Sequence, residues 1–218
     1  MLLVDLDPQS SLTSFMGLVP SNLEKTVYHS LVEQEPLTIQ KNIHDTVDLA
    51  PANVGLSAAE MQLVPLVARE MRLKNAILAV ADDYDFILID CPPSLGLLSI
   101  LGLVASTHVL VPVQTQVKSF EGTDLLLKTV ADIKSLVNRS LSFAGFIPTL
   151  YDKRTIHQYE VYKAISTQLS QLAPVYEPIP HTIAFPDSSL KRLPLALYKP
   201  NHPAVHIIES IAQQLEQL

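Results

Sequence analysis

Cysteine is nearly absent from this sequence. Cys91 is the single cysteine among 218 residues. One cysteine excludes an intrachain disulfide and a metal site built from several cysteines, and it suits a reducing cytoplasm. The first seven residues have neither a basic segment nor a small-residue cleavage site, so we do not expect a signal peptide.

Charged residues are also scarce. They make up 17% of the chain against 48% hydrophobic residues, and the formal net charge is −7. Non-specific nucleic-acid binding relies on neutralisation of phosphates by Lys and Arg, so this charge disfavours strong DNA binding over the whole surface but leaves a local basic face open. Residues 95–113 are long enough to span a membrane, but Ser, Thr, His, Gly and Pro interrupt them. We expect a buried helix and a strand there, and no membrane span.

Short apolar runs alternate with longer helical patterns along the chain. Continuous apolar runs at residues 1–4, 86–89 and 108–113 predict strands buried on both faces. Further strands are predicted at Ser142–Thr149 and near residues 174–178, with Val47–Ala50 as a short edge strand. Helices are predicted over residues 58–80, 121–137, 159–172 and 204–215. This alternation predicts an α/β fold, a doubly wound and mostly parallel sheet flanked by helices, in a single domain spanning residues 1–218.

Two carboxylates follow the first predicted strand. Asp5 and Asp7 are two residues apart, so an extended backbone places them on one face, and Pro8 and Gln9 then turn the chain. Open α/β sheets bind ligands at the carboxyl ends of their strands. The pair could hold hydrated Mg²⁺ or orient a water molecule, or it could be a polar strand end that caps the next helix.

A third carboxylate ends another apolar run. Asp90 closes the predicted strand at residues 86–89 and precedes Cys91, Pro92 and Pro93. An apolar strand that ends in an acid is the Walker B pattern, in which the acid holds Mg²⁺ through water. The alternative role for Asp90 is a helix N-cap.

Six segments in their order along the chain resemble the ParA/Soj family of chromosome and plasmid partitioning ATPases, members of the MinD/ParA superfamily with a deviant Walker P-loop. They are LVDLDPQ at 3–9, LAPAN at 49–53, DYDFILIDCPPSLG at 83–96, VPV with SFEG at 111–113 and 119–122, TLYDKRT at 149–155 and PIP at 178–180. The resemblance covers essentially the whole chain. It implies a P-loop NTPase-like fold.

The resemblance also implies roles for single residues. Asp7 would position the water that attacks the γ-phosphate, Asp5 would be a second catalytic residue that supports the Mg²⁺ shell, and Asp90 would be the Walker B acid. With Asp90, the expected contacts to the bound ATP are Pro8, Gln9 and Pro92, and, around the adenine, Thr149, Tyr151, Asp152, Ile179 and Pro180.

The function implied by the resemblance is ATP-driven partitioning or positioning of DNA or another cargo. Family members form an ATP-bound homodimer, bind DNA without sequence preference and respond to a ParB-like activator, which implies a cytoplasmic, nucleoid-associated protein. A non-catalytic binding or dimerisation module is the alternative, and a metal-cluster carrier or amidoligase of the same fold is a third. The candidate DNA contacts, which could instead be solvated surface charges, are Lys153, Arg154, Lys191 and Arg192.

The sequence departs from the family in what it lacks. It contains no K-G-G-x-x-G-K-[ST] loop, and its six glycines are scattered. We therefore expect the first strand and the Walker A loop of the family to be missing from this sequence, either because the chain was shortened at its start or because it is a degenerate paralogue. If the missing strand is central in the family's sheet, two strand edges would be left unpaired. Ser10 also stands where the family usually has glycine.

Overall fold

The computed structural model describes residues 1–117 and 122–218. The chain divides into two compact units, Met1–Ser106 and Thr107–Leu218. The division falls between a helix and the strand that follows it. The single domain over residues 1–218 stays a prediction, and Ser119, Phe120 and Glu121 of the SFEG motif lie outside the described residues.

The first unit contains four strands and five α-helices. They are β1 (Leu2–Asp5), α1 (Ser11–Phe15), α2 (Val27–Val32), β2 (Gln40–His44), β3 (Val47–Ala50), α3 (Leu56–Leu63), α4 (Arg72–Leu78), β4 (Ile87–Asp90) and α5 (Leu97–Ala105). Short 3₁₀ segments at Pro20–Asn22, Arg69–Met71 and Ala81–Asp83 connect some of them.

The sheet of the first unit has the order β2-β3-β1-β4. β1 runs parallel to both β3 and β4, while β2 pairs antiparallel with β3. The prediction that Val47–Ala50 is an edge strand is wrong, because β2 covers its outer side. The sequence analysis missed β2 because Gln40–His44 is mostly polar and half-exposed, without the apolar run that marks the other strands.

A layer of helices covers one face of this sheet. Its buried core joins apolar side chains of β1 with those of α2, α3, α4 and α5, and Ile87 and Ile89 of β4 pack against it. The intervening Leu88 is 49% exposed and Phe86 is 40% exposed. The prediction that this strand is buried on both faces is therefore wrong, since only one face of β4 meets the core.

The long helix predicted over residues 58–80 is two helices. α3 ends at Leu63 and α4 begins at Arg72. Pro65 lies just after the end of α3, and Ala68 has a left-handed backbone with φ 52°. Proline removes a helical hydrogen bond, and a left-handed residue cannot continue a right-handed helix. The helix is therefore interrupted here, although the helical spacing of apolar residues continues in the sequence.

A charge cluster around the buried Asp48 joins β2 and β3 to the segment before β4. Asp48 accepts hydrogen bonds from the Tyr84 hydroxyl at 2.7 Å and the Asn42 N–H at 2.7 Å, and Lys41 lies 2.9 Å from it. Burial would raise the pKa of Asp48, but these partners hold it at about 2. The ionised Asp48 carboxylate thus stabilises the fold.

The second unit pairs two parallel strands. Its described elements are β5 (His108–Gln114), α6 (Thr123–Leu136), β6 (Ser142–Thr149), α7 (Ile156–Leu169), α8 (Ala184–Leu190), α9 (Leu195–Tyr198) and α10 (Pro203–Leu215). Val111, Val113 and Phe146 of the strands pack with Val161 and Ile165 of α7. No helix in the described part of the chain is both long and apolar enough to cross a membrane.

The strand predicted near residues 174–178 is an extended segment with one isolated bridge to β6, between Val175 and Phe146. The Phe146 N–H donates to the Pro174 carbonyl at 2.8 Å, and the Tyr176 N–H donates to the Phe146 carbonyl at 2.9 Å. Pro174, Pro178 and Pro180 have no N–H, so a continuous ladder cannot form. The segment stays attached through Tyr176, whose hydroxyl donates to the Ala144 carbonyl at 2.8 Å.

Each sheet ends in strands that have a single neighbouring strand within the described residues. They are β2 and β4 in the first unit, and β5 and β6 in the second. The two unpaired edges expected from a missing strand stay a prediction. Because open edges accept strands from other molecules, we expect the isolated chain to self-associate at high concentration.

Replacing Gly145 with alanine is expected to destabilise the protein by about 3 kcal/mol. Gly145 has φ 151°, and an added Cβ would lie 2.3 Å from Cε2 of Tyr176. Urea denaturation measures the loss. Gly17→Ala is the matched control, because Gly17 has φ 94° and nothing within 4 Å of the added Cβ, so it reports backbone strain alone. Equal losses at the two glycines would show that the contact with Tyr176 contributes nothing.

Candidate functional site

The three predicted acidic residues meet at the carboxyl ends of β1 and β4. Asp5 and Asp90 are register partners in these adjacent parallel strands. The Leu6 N–H donates to the Asp90 carbonyl at 2.9 Å, which carries the pairing past the end of β1 toward Asp7. The sequence patterns at residues 5–9 and at residue 90 thus belong to one edge of one sheet.

Asp5 is completely buried, and both of its carboxylate oxygens accept hydrogen bonds. Oδ2 accepts from the Thr13 hydroxyl at 2.6 Å and the Thr13 N–H at 2.9 Å, and Oδ1 accepts from the Asp7 N–H at 3.0 Å. Burial raises the pKa of Asp5, against the opposing effect of these hydrogen bonds. The geometry suits a residue that holds the following turn, while catalytic and Mg²⁺-binding roles for Asp5 remain predictions.

Thr13 is a site residue that the sequence analysis missed. Its side chain is fully buried. Besides donating to Asp5, the Thr13 hydroxyl accepts a hydrogen bond from the Ala52 N–H at 2.9 Å. It therefore ties the end of β1 to the LAPAN segment after β3. No spacing rule marks a threonine eight residues after an aspartate as its partner.

Thr13→Val is expected to destabilise the protein by about 2–3 kcal/mol. The isosteric change removes the buried hydroxyl that donates to Asp5 and accepts from the Ala52 N–H. Thermal and urea unfolding measure the effect. Thr13→Ser keeps the hydroxyl and is expected to lose less than half as much. A valine variant as stable as the serine variant would contradict a structural role for the bridge.

The turn that follows Asp5 presents the Asp7 carboxylate. Its Oδ1 accepts a hydrogen bond from the Gln9 N–H at 2.9 Å, and the Ser10 N–H donates to the Asp7 carbonyl at 2.8 Å. Pro8 lies between them, half-exposed like Asp7. Ser10 has a left-handed backbone with φ 55°, which explains why glycine would suit this position.

The surroundings of Asp90 disfavour ionisation of its carboxyl group. Partial burial of its carboxyl group, followed by the like charges of Asp5 and Asp7, raises the pKa of Asp90 to about 6, although the residue as a whole is exposed. Crowded carboxylates that disfavour ionisation are typical of functional sites. A bound cation would offset this repulsion.

The donor set suits Mg²⁺ carried by a phosphate ligand. Among the residues that the structure describes, no group of three or more His, Cys, Asp or Glu side chains is placed to hold a metal ion by itself. Mg²⁺ is usually held by one or two carboxylates together with water and substrate phosphates rather than by an all-protein cage. Asp90, whose carboxyl group is the more accessible of the two register partners, fits that role.

The turn after Asp90 packs closely on α5. The Ser99 hydroxyl donates to the carbonyls of Ser94 at 2.6 Å and Pro92 at 3.3 Å. An added Cβ on Gly102 would lie 2.5 Å from Sγ of Cys91, so the small residue lets the helix approach the turn. Pro92 is thereby fixed next to Asp90.

The remaining predicted ligand contacts belong to the second unit. The Tyr151 N–H donates to the Ile179 carbonyl at 3.1 Å, and the His181 N–H donates to the Tyr151 carbonyl at 3.0 Å. Tyr151 also forms a bridge with Pro180. Thr149 ends β6 directly before this loop, so the residues predicted to surround the adenine lie side by side.

Thr115 and Gln158 support this loop and were missed from the sequence. Thr115 is fully buried, and its hydroxyl donates to the Thr149 carbonyl at 3.2 Å. The Gln158 side-chain oxygen accepts a hydrogen bond from the Asp152 N–H. Thr115 and Thr149 are 34 residues apart and Asp152 and Gln158 are six apart, and neither spacing belongs to a motif that would indicate the contact.

The four basic residues predicted to contact DNA are exposed, but one of them is paired with an acidic side chain. Arg154 is paired with Asp152 at 2.8 Å, and hydrogen bonds from Arg154 hold the pKa of Asp152 at about 2. Lys153 is exposed beside this pair, and Lys191 and Arg192 are exposed after α8. DNA binding by these residues stays a prediction.

Comparison with known proteins identifies relatives of this chain. Residues 1–143 match the sequence profile of a family described as an AAA domain. The chain is 36% identical over 217 residues to the sporulation initiation inhibitor protein Soj of Bacillus subtilis, covering 98% of this chain and 85% of that protein. It is 35% identical to the chromosome-partitioning ATPase Soj of Treponema pallidum, covering 98% and 84%.

A solved structure gives the same result for the fold. The cobyrinic acid a,c-diamide synthase of Mycobacterium smegmatis, crystallised with an ATP analogue and magnesium, is 35% identical to this chain with a TM-score of 0.77. The match covers 88% of this chain and 78% of that protein. With its α/β fold of helices on a mostly parallel sheet and with relatives that cover nearly its whole length, the chain belongs to the ParA/Soj family of partitioning ATPases.

Proposed function

We propose that this protein is a cytoplasmic ATPase that uses Mg-ATP to partition or position DNA or another cargo. The observation that carries the proposal is the convergence of Asp5, Asp7 and Asp90 at the carboxyl edge of one sheet, where burial and like charge raise the pKa of Asp90 to about 6. Such a site favours a dication and a phosphate group. The M. smegmatis relative was solved with an ATP analogue and magnesium.

Each acidic residue has a distinct part in the proposed mechanism. Asp90 would hold Mg²⁺ through water, and a bound Mg²⁺ would supply charge neutralisation to the phosphates of ATP. Asp7, presented by the turn at residues 7–10, accepts a hydrogen bond from the attacking water and orients it in line with the γ-phosphate. Asp5 keeps that turn in place through its bonds to Thr13 and Asp7.

The turn residues and the second unit supply the other proposed ATP contacts. Pro8 and Gln9 follow Asp7, and Pro92 is fixed by Ser99. The Tyr151 loop and the Ile179–Pro180 segment, joined by backbone hydrogen bonds, offer carbonyl and N–H groups to an adenine edge. These residues are the ATP contacts that the proposal assigns to the described part of the chain.

The finer parts of the proposal concern the partners. We infer an ATP-dependent homodimer, a ParB-like activator and non-specific DNA binding through Lys153, Arg154, Lys191 and Arg192. The names of the Soj relatives support chromosome partitioning, and the exposure of all four basic side chains supports a DNA-facing surface. Because the charge of Arg154 is neutralised by Asp152, the inference of DNA binding depends mainly on the other three basic residues.

A second candidate function is an ATP-dependent amide ligase. The name of the M. smegmatis relative favours it. The two functions differ in what stimulates ATP hydrolysis. A partitioning ATPase responds to DNA and an activator protein, whereas an amide ligase responds to an amine donor together with a carboxylic acid substrate.

Calorimetric titration of Mg-ATP into the folded protein tests the proposal. We expect binding that is lost in Asp90→Ala and retained in Asp82→Ala, an exposed aspartate of the same unit. Circular dichroism confirms folding of each variant. Equal binding by the two variants would remove Asp90 from the site, and absence of binding by every folded form, including the wild type, would contradict a nucleotide-dependent function for this chain.

A further inference from the structure

Helix α5, which follows the turn after Asp90, begins without a side-chain cap of its own. Its N-cap residue is Gly96, and no side-chain capping bond is present. The first N–H groups of a helix lack intrahelical partners and carry partial positive charge. A carboxylate near this end would stabilise α5.

Glu60 of α3 provides that carboxylate. A Cβ added to Gly96 would lie 2.8 Å from Oε1 of Glu60 and 3.7 Å from the Ser94 hydroxyl oxygen. The charged group therefore lies directly against the backbone where α5 begins. Because Gly96 has no side chain, Glu60 can approach from a neighbouring helix, and its charge interacts favourably with the helix N-terminus.

Helix α3 is itself connected to the other acidic strand end. The Ala52 N–H donates to the Thr13 hydroxyl, which in turn donates to the Asp5 carboxylate. Asn53 follows Ala52, and its side-chain oxygen accepts a hydrogen bond at 3.0 Å from the N–H of Gly55, the N-cap residue of α3. The segment that leads into α3 is thus fixed to Asp5 through Thr13.

We propose that Glu60 is a positioning residue that fixes the turn at residues 91–96, and with it Asp90, by placing its charge from α3 against the N-terminus of α5. The proposal rests on the proposed function, because this turn belongs to its Mg²⁺ and phosphate side. Ser99 holds the same turn from within α5 through the Ser94 and Pro92 carbonyls. Glu60 and Ser99 together leave the backbone after Asp90 little freedom to move.

Hydrogen–deuterium exchange of the folded chain, followed by mass spectrometry, tests the proposal without nucleotide. In Glu60→Gln we expect the backbone amides of residues 91–99 to exchange about three- to tenfold faster, because the charge that stabilises the helix end is gone. Glu24→Gln, at an exposed position of the same unit, is the matched control and should leave these rates unchanged. Wild-type rates in a folded Glu60→Gln protein would overturn the proposal.

A double-mutant cycle separates the contact from a general loss of stability. Gly96→Ala places a methyl group where the Glu60 carboxylate lies, so it should also accelerate exchange at residues 91–99. The double variant should be no faster than the faster single variant, because both changes remove one contact. Additive acceleration would show that the two residues act independently and would overturn the proposal.

Steady-state kinetics distinguish positioning from folding. Glu60→Gln should lower kcat for ATP hydrolysis about three- to tenfold and raise KM as well, because the displaced turn follows Asp90 and carries Pro92, one of the proposed ATP contacts. An unchanged kcat would overturn the link to the reaction. If the wild type itself hydrolyses no ATP, the proposed function fails, and the exchange experiment still decides whether Glu60 holds the turn.

Discussion

Replacing Asp7 with asparagine is expected to lower kcat for ATP hydrolysis by about 10²- to 10⁴-fold. The proposed role of Asp7 is to orient the attacking water, which requires a negatively charged acceptor. Asparagine has the same shape, and its side-chain oxygen can still accept the hydrogen bond from the Gln9 N–H that shapes the turn. The loss should therefore appear in kcat, while the Kd for Mg-ATP stays within about threefold.

Phosphate release and calorimetry measure the two quantities for Asp7→Asn. Asp82→Asn is the matched control, since Asp82 is an exposed aspartate in the 3₁₀ segment before β4. It should leave both kcat and Kd unchanged. Hydrolysis by Asp7→Asn at the wild-type rate would exclude Asp7 as the water-positioning residue and would shift attention to Gln9 and the backbone of the turn.

Replacing Asp90 with asparagine is expected to stabilise the nucleotide-free protein at neutral pH while removing Mg-ATP binding. Burial and the charges of Asp5 and Asp7 raise the pKa of Asp90 from 3.8 to about 6. The folded state thus binds this proton more tightly than the unfolded state, so stability falls as the pH rises from about 4 to about 6. Above that window the ionised carboxylate destabilises the fold, and a neutral amide does not.

The expected size of this effect is modest because Asp90 is exposed as a residue. The full shift would correspond to about 3 kcal/mol, and solvent screening should reduce it to about 1 kcal/mol, or about 2–4 °C in Tm. Thermal unfolding at pH 7.5 and pH 4 measures it, and the advantage of Asp90→Asn should vanish at pH 4. A variant less stable than the wild type at pH 7.5 would contradict the electrostatic account.

Asp48→Asn is the control, and it should change stability at neutral pH in the opposite direction. The hydrogen bonds and the Lys41 charge that hold the pKa of Asp48 at about 2 stabilise the folded state above about pH 4, and this contribution is lost as the pH falls from about 4 to about 2. Asp48→Asn should therefore lower stability at neutral pH. The two substitutions change the same chemical group in one unit, and only the surroundings of the group differ.

Much of the site could be predicted because its residues belong to local patterns. An apolar run followed by an acid marks Asp5 and Asp90, and the alternation of strands and helices puts both at the carboxyl edge of a parallel sheet. The loop at residues 149–152 and the segment at residues 179–180 are likewise adjacent, as their motifs indicated. Local spacing and strand order were sufficient for these predictions.

Other predictions failed where contacts between distant residues decide the structure. β2 forms from a polar segment because β3 offers it hydrogen bonds, and the extended segment beside β6 stays irregular because its prolines lack N–H groups. The helical spacing over residues 58–80 continues across a break at Pro65 and Ala68, since periodicity reports which face is apolar and not whether the backbone stays helical.

The sequence by itself determined the family, the alternation of strands and helices, and the acidic residues that end β1 and β4, because each follows from residue type and spacing along the chain. Only the tertiary structure decided that Thr13 joins Asp5 to Ala52, that Glu60 lies against the start of α5, and that Asp48 is stabilising where Asp90 is strained. Hydrogen bonds, burial and like charge act between groups brought together by folding, so their sign depends on neighbours that the linear order of residues does not contain.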